Sequence, residues 1–299
     1  MGDTLVQIAP HPRLPEWARK GRTHFESLNR LKSGLRRLSL HTVCELARCP
    51  NIHECFHRGA ATFMILGDRC TRGCGFCSVE KLHAREHGAA LDLAEPANVA
   101  RMAAEMKLRY VVITSVNRDD LQDGGSRHFA ETVREVRRAL PEARVEVLTP
   151  DFCGDFEAVA RVLEAGPHVF NHNVETVPRL YRRVRPQADY RQSLGVLEFA
   201  ARHAAGALTK SGFMVGLGET AEEVRELLRD LRAAGTEVAT IGQYLQPARR
   251  NLPVAEFVEP RRFEEYREYG LSLGFRAVFS GPLVRSSYMA EAVSEEALA

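Results

Sequence analysis

Cys70, Cys74 and Cys77 lie in the run Cys-Thr-Arg-Gly-Cys-Gly-Phe-Cys, separated by three and then two residues. Thiolates are the usual protein ligands of iron–sulfur clusters. Three of them fall one short of the four irons in a cube, which leaves one iron open to bind a substrate. A ferredoxin-type cluster would take a fourth cysteine from the same run, and none follows Cys77 there. A structural zinc site would be closed and four-coordinate, with paired ligand knuckles, and here only Cys74 and Cys77 form a C-x-x-C pair. A disulfide is disfavoured in so tight a group if the compartment is reducing.

A second set lies upstream, at Cys44, Cys49 and Cys55. Again there are three thiols and no fourth. Zinc completed by His53 or His57 is one reading. A second iron–sulfur cluster, with its fourth ligand drawn from far away in sequence, is the other. Six of the seven cysteines fall between Cys44 and Cys77, and such clustering argues for metal over disulfides. Cys153 matches neither set and reads as a packed small residue.

The elements that must position these thiols follow an α/β pattern. The apolar run Ala61–Leu66 reads as a buried strand just before the loop of Cys70. Cysteines on a loop at the carboxyl end of a strand are placed where α/β barrels keep their chemistry. Further strands are expected at Tyr110–Ser115, Val145–Thr149, Val169–Val174, Ala207–Val215 and Glu237–Tyr244. Helices are expected between them at Pro96–Met106, Arg127–Leu140, Asp155–Glu164, Tyr190–Ala205 and Thr220–Ala234, the last opening on a capping box. Alternation of this kind implies parallel pairing. Six units predict a partial (β/α)6 barrel of the TIM type, open on one side. Arg276–Ser280, after a helix over Arg262–Leu273, reads as one more strand. Residues 1–58 form an N-terminal extension with the first triad, 59–250 the barrel and 251–299 a C-terminal extension, in one integrated unit. A short helix begins at Pro15 and another is expected over Leu35–Leu46. The proline-rich residues 1 to about 15 are expected on the surface.

Several strand ends carry polar runs: Thr114 to Gly125, Asn171 to Thr176, Lys210-Ser-Gly and Gly242 to Pro247. Such residues tend to face a barrel's ligand, the alternative being loop solvation and helix capping. Gly216-Leu-Gly218-Glu219 reads as a tight strand-to-helix turn in preference to a phosphate loop. Ser286 or Ser287, on local grounds alone, reads as a helix cap.

Composition narrows the class. The 299 residues are 44% hydrophobic and 27% charged, as in an ordinary soluble globular protein. The net charge is +2, with acids interspersed among bases as in Arg225–Arg232. That offers no basic stripe for nucleic acid and no bulk attraction to a membrane. The start does not read as a signal peptide, and no apolar run approaches a membrane span. The expected location is the cytoplasm.

The motif C-x-x-x-C-x-aromatic-C resembles that of the radical S-adenosylmethionine superfamily. From about Arg36 to Ala290 the chain resembles the lipoyl synthase family within it. The matching stretches are both cysteine triads, Thr149-Pro-Asp-Phe, His172-Asn-Val-Glu-Thr, Lys210-Ser-Gly, Gly242-Gln-Tyr-Leu-Gln-Pro and Arg285-Ser-Ser-Tyr288. The resemblance implies two [4Fe-4S] clusters per chain and S-adenosylmethionine as cofactors. It implies Cys70, Cys74 and Cys77 as ligands of the cluster that cleaves S-adenosylmethionine, with Phe76 near the adenine. It makes Asn173 and Glu175 candidates for the ribose or amino group, and Arg185 for the carboxylate. It implies Cys44, Cys49, Cys55 and Ser287 as ligands of an auxiliary cluster that donates sulfur.

The implied reaction begins when the reduced first cluster cleaves S-adenosylmethionine to methionine and a 5′-deoxyadenosyl radical. That radical removes hydrogen from an octanoyl chain, and sulfur is inserted at carbon 6 and then at carbon 8. The implied partners are octanoylated lipoyl carrier domains, such as those of 2-oxoacid dehydrogenase subunits or the glycine cleavage H protein. An electron donor such as ferredoxin or flavodoxin and an iron–sulfur carrier protein are implied too. Neither nucleic acid nor membrane is expected.

The chain departs from the family pattern at Asn117, where aspartate is more usual, and at Phe56, where tryptophan is common. Gly73 and Gly75 are expected to loosen the cluster loop. A biotin-synthase-like sulfur inserter would leave Cys44, Cys49, Cys55 and Ser287 unexplained. A non-catalytic zinc or iron–sulfur module for nucleic acid would need a basic stripe.

Overall fold

A computed structural model of the chain describes residues 15–18, 32–46, 49, 51–82, 88–204 and 206–287. The strands, in chain order, are β1 (His41–Thr42), β2 (Ala60–Ile65), β3 (Arg69–Cys70), β4 (Glu80–Lys81), β5 (Tyr110–Ser115), β6 (Arg144–Leu148), β7 (Val169–Asn171), β8 (Leu208–Val215), β9 (Val238–Gln243) and β10 (Ala277–Gly281). Eight of them form one sheet in the order β1-β2-β5-β6-β7-β8-β9-β10, while β3 and β4 pair separately. Strands β2 through β10 of that sheet run parallel, and β1 lies antiparallel against β2. Among the described residues β1 and β10 do not pair with each other, so the sheet curls into an open barrel. Parallel sheets are covered on both faces and read as near-continuous apolar runs. Accordingly β2 and β9 are buried at every position.

The six expected units are present, and the extra strand expected near the C-terminus is β10. Helices Glu95–Glu105, Ser126–Ala139, Phe156–Glu164, Tyr190–His203, Ala221–Ala233 and Pro260–Ser272 cover the outside. Thr220 and Glu223 form the capping box. Two expectations need correction. Leu35–Leu46 is not one helix: residues 32–37 are helical, Ser39 turns at φ 54°, and β1 intervenes before Val43–Leu46. Pairing of His41 with Met64 and Thr42 with Phe63 outweighs local helix propensity there. Strand β7 stops at Asn171 instead of Val174. The chain then peels off the ladder, and Glu175 touches β8 again only through a single bridge to Phe213, at φ 65°. Residues 1–14, Tyr288 and the acidic tail lie outside the described residues.

Alternate side chains of a strand share a face, and the inward faces fill the barrel in layers. Val169, Leu208, Val238 and Ala277 pack together as an apolar floor. Above it Lys210 Nζ lies 2.9 Å from Glu146 Oε1, both side chains being wholly inaccessible to solvent. The Tyr110 hydroxyl donates to Glu146 at 2.8 Å and the Asn171 amide at 3.0 Å. Lys210 therefore closes on Glu146 instead of facing a ligand. Removing one member of such a pair costs about 3–5 kcal/mol, because the other charge is left buried. This ionic layer separates the dry floor from the polar upper lumen. Among the described residues no helix is long and apolar enough to cross a membrane.

Candidate active site

The loop after β2 carries Cys70, Cys74 and Cys77, and its backbone is held from several sides. Gly75 N–H donates to Val184 O at 2.9 Å, and Gly75 O accepts from Leu252 N–H at 3.0 Å. Asn251 Nδ2 donates to Gly75 O at 3.2 Å and to Cys77 O at 2.8 Å. Gly73 N–H donates to Gln187 Oε1 at 2.9 Å. A Cβ at Gly75 would sit 2.8 Å from Leu252 and 3.3 Å from Arg183 O. Gly75 thus permits close packing, contrary to the expectation that it loosens the loop, whereas a Cβ at Gly73 would meet only ordinary contacts at 3.6 Å. The segment that supplies Asn251 and Leu252 is itself ordered by the Gly242–Pro247 run. Tyr244 Oη donates to Leu252 O at 2.7 Å, Gln246 Nε2 to Asn251 O at 2.8 Å, and Gln243 Nε2 to Glu256 O at 2.9 Å.

Arg72, inside the cysteine run, is the residue sequence reading missed. Its guanidinium makes paired bonds to Asp151 at 2.6 and 2.8 Å and to Asp119 at 2.8 and 3.1 Å. It ties the loop to the ends of β5 and β6. Burial alone would raise the Asp151 carboxyl, but hydrogen bonds and charge from Arg72 hold it well below the usual carboxylate range. The signal was present as an arginine between ligands and two carboxylates at strand ends; only the fold brings them within reach. Asn117 N–H and Arg72 N–H donate to Cys70 Sγ at 3.3 and 3.4 Å. Since Asn117 makes this bond through its backbone, the side-chain departure there leaves the contact intact. Cys153 is exposed rather than packed. Its left-handed φ of 54° turns it outward, and its thiol donates to Asp119 at 3.3 Å.

Burial pushes the Cys77 thiol up to about 12, and burial also raises Cys70 and Cys74, the last opposed by the Arg185 charge. These thiols are protonated near neutrality, so cluster binding must displace protons.

Beyond β7 the expected S-adenosylmethionine residues lie together. Asn173 Nδ2 donates to Glu175 Oε1 at 3.1 Å and to Ser286 Oγ at 2.6 Å. Arg185 Nη1 donates to the carbonyls of Asn173 and Val174 at 3.0 and 3.3 Å, beneath its 5.4 Å approach to the Tyr181 ring. Burial raises the Glu175 carboxyl and Arg185 opposes it. Among the described residues, Asn173 Oδ1, Arg185 Nε, His172 Nε2 and Thr240 Oγ1 are buried without a hydrogen-bond partner. Each such orphan costs about 1–3 kcal/mol, and several around one strand end suit a polar ligand. Gly212 marks the spot: a Cβ there would meet Thr240 Oγ1 at 2.5 Å, Asn173 Oδ1 at 2.9 Å and Ser286 Oγ at 3.1 Å. Phe76 is half-buried and packs against the core beneath this region.

Other polar runs turn out to be structural. Asp120 pairs with Arg118 at 2.8 Å, and Asp123 accepts from the backbone of Gly125 and Arg127 at the start of a helix. At Gly216–Glu219 the Glu219 carboxylate takes the N–H groups of Gly216 and Leu217. A tight turn results, with those donors already used.

The second site joins the two ends of the chain. One pocket is lined by Cys44, Cys49, Cys55, Thr62, Arg285 and Ser287, with Asn51 and small residues of β2 and β5. Thr62 Oγ1 donates to Ser287 Oγ at 2.9 Å, and Asn51 Nδ2 donates to Leu283 O at 2.7 Å. The C-terminal segment crosses the lumen: Val284 O would lie 2.2 Å from a Cβ on Gly242, Ser286 meets Asn173, and Ser287 meets β2. Ser286 and Ser287 lie in a turn rather than capping a helix among the described residues. Burial, with the neighbouring Cys49 and Cys55, pushes the Cys44 thiol up to about 12. Burial lowers Arg285 while Cys49 opposes that shift. Among the described residues no three His, Cys, Asp or Glu side chains are set around a single metal ion. The donors instead line the walls of a shared cavity, an arrangement that fits a larger group.

A family model of the radical SAM superfamily matches residues 64–231, and one of the N-terminal domain of lipoyl synthase matches residues 3–49. The lipoyl synthase of Rubrobacter xylanophilus is 53% identical over 283 residues, covering 95% of this chain and 87% of the relative. That of Caldanaerobacter subterraneus is 54% identical, covering 93% and 96%. The chain belongs to the lipoyl synthase family. It is thereby a radical S-adenosylmethionine enzyme, and S-adenosylmethionine and a [4Fe-4S] cluster are its cofactors. Solved structures share the fold at much lower identity. Methylornithine synthase superposes with a TM-score of 0.55 at 18% identity over 83% of this chain and 72% of its own. Coproporphyrinogen III oxidase from Escherichia coli gives 0.54 at 14%, over 73% and 53%.

Proposed function

We infer that the chain inserts two sulfur atoms, at carbons 6 and 8, into an octanoyl group carried on a lysine of a lipoyl carrier domain. Family membership supports this reading, and the observation that carries it is the pocket where Ser287 joins Cys44, Cys49 and Cys55. A biotin-synthase-like reading assigns that pocket nothing to do.

Cys70, Cys74 and Cys77 would hold the cluster that cleaves S-adenosylmethionine, and Cys44, Cys49, Cys55 and Ser287 a second, auxiliary [4Fe-4S] cluster. When bound, these groups would supply a carbon-centred radical able to attack an unactivated methylene, and the sulfur to replace its hydrogen. The chain's own part is placement. Asn173, Glu175 and Arg185 would orient S-adenosylmethionine over the lumen, with Phe76 at the adenine. The Lys210–Glu146 layer closes the lumen below, and the C-terminal segment carries Ser287 across it. Serine is a harder ligand than thiolate, so the iron it holds would be the first released. Ser287→Cys should keep a full iron complement yet slow iron release and product formation; unchanged release would remove this role. The carriers would be lipoyl domains such as those of 2-oxoacid dehydrogenase subunits or the glycine cleavage H protein, with an electron donor such as ferredoxin or flavodoxin and an iron–sulfur carrier protein. The N-terminal extension to residue 58 and the extension from 251 would act with the barrel as one unit.

The decisive experiment is mass spectrometry of an octanoyl-lysyl peptide after anaerobic incubation with S-adenosylmethionine and a reductant. Addition of two sulfurs is expected; cleavage of S-adenosylmethionine with no sulfur gained would refute the reading.

A further inference from the structure

Arginines on the outer helices are largely matched by acids one or two turns away, as Arg138 is with Glu135, Arg229 with Glu222 and Arg267 with Glu264. Four arginines around the first cysteine loop are not. Arg182 and Arg183 lie on the exposed face of Tyr181–Val184, whose last carbonyl accepts the Gly75 N–H. Arg249 and Arg250, also exposed, directly precede Asn251, whose amide bonds Gly75 O and Cys77 O. None of the four forms an ion pair among the described residues. Lys81, exposed too, reaches Gly73 O at 3.3 Å. The nearest acids in sequence are engaged elsewhere: Glu80, beside Lys81, pairs with Arg69 at 3.7 Å, Asp189 caps a helix, accepting from Gln192 N–H at 2.8 Å, and Glu256 pairs with Arg262 at 3.0 Å.

We propose that this basic rim is the docking surface for an acidic, low-potential one-electron carrier protein. The proposal rests on the radical reading of the site. Five side chains of one sign that form no ion pair among the described residues set up a field that favours an acidic partner. Their location selects which one. Each rim residue is within one or two positions of a group that touches Gly73, Gly75 or Cys77, and none of them lines the pocket of Cys44 and Ser287. An acyl carrier must deliver its chain between the two sites. An electron carrier needs only to approach the first. In the step itself the carrier loses one electron and the cluster gains it; no proton or group is transferred.

The test uses the enzyme with its clusters loaded, reduced flavodoxin as the probe, and dithionite as a small reductant that needs no docking surface. Arg182→Glu/Arg249→Glu is compared with the parent protein. Flavodoxin affinity, measured by titration, should fall at least about tenfold at low salt, and the gap should narrow as salt screens the rim. Bleaching of cluster absorbance by flavodoxin should slow in step. Bleaching by dithionite, and 5′-deoxyadenosine formed with it, should not change. Equal flavodoxin affinity in both proteins would overturn the proposal. So would weakened binding of an octanoyl carrier domain alone, which would assign the rim to the substrate. Loss of the dithionite reaction in the variant only would show that the arginines support the loop. Failure of the parent itself to cleave S-adenosylmethionine with dithionite would instead sink the radical reading, and this proposal with it.

Discussion

The two cysteine triads are built in opposite ways. Cys70, Cys74 and Cys77 come from eight consecutive residues, and that short loop is pinned by Val184, Gln187, Asn251 and Leu252, with Arg72 bound to two carboxylates. Cys44 and Cys55 come from short helices ahead of the barrel and Cys49 from between them, and their pocket is finished by Ser287, more than two hundred positions on. The side-chain bonds joining those segments include Asn51 to Leu283 and Thr62 to Ser287. A local loop with many independent restraints keeps its shape when one ligand changes. A site assembled from two chain ends opens when either end lifts. In the proposed reaction the first site is used again at every turnover and the second is consumed, and the two constructions suit those fates.

The sharpest way to break this comparison is to remove one thiol from each site. Cys74→Ala should abolish 5′-deoxyadenosine formation and sulfur insertion together. Cys49→Ala should leave 5′-deoxyadenosine formation in place and stop the lipoyl product. Both products can be read from one mass-spectrometric assay, and a Cys49→Ala enzyme that still makes lipoyl groups would erase the distinction.

Next in size is the anchor of the first loop. Arg72→Ala leaves the Asp151 carboxylate buried without its cation and should cost about 3–5 kcal/mol in denaturant unfolding. It should also lower the iron retained by Cys70, Cys74 and Cys77. A loss below about 1 kcal/mol, the level of an exposed pair, would mean that the loop does not depend on this tie.

His172, beneath the same loop, gives a test in pH. Burial, aided by the Arg185 charge, pushes it down to about 4 from 6.5. Its Nδ1 lies 2.9 Å from Thr149 O, which requires the proton on that nitrogen. The unfolded chain takes up a second proton at higher pH than the folded one. Stability from this residue is therefore complete above about pH 6.5 and declines as the pH falls towards 4, by roughly 3 kcal/mol in all. His172→Gln should flatten that acid limb in a series of thermal unfolding curves. An unchanged limb would place its origin elsewhere.

The smallest effect is expected at the second site. Thr62→Val removes the hydrogen bond to Ser287 and the side-chain bond to Cys44, each worth about 1 kcal/mol. It should speed chelation of iron from that site a few-fold without changing the first, so equal effects on both would blur the contrast drawn above.

Sequence alone determined a good deal. Strand and helix alternation is a local property, since burial on both faces leaves a continuous apolar run in each strand. The cysteine spacings are local as well, and they limit the ligand chemistry before any fold is known. What the tertiary structure decided is everything that depends on distant parts of the chain meeting. It set Lys210 against Glu146, away from a ligand, because alternate side chains of neighbouring strands face one lumen. It turned Cys153 outward, showed Gly75 to be a point of close packing, and split Leu35–Leu46 by an edge strand. It brought Arg72 to Asp119 and Asp151, and Ser287 to Cys44. Residues so far apart in sequence carry no local mark of their pairing; their contacts exist only once the barrel has closed around them.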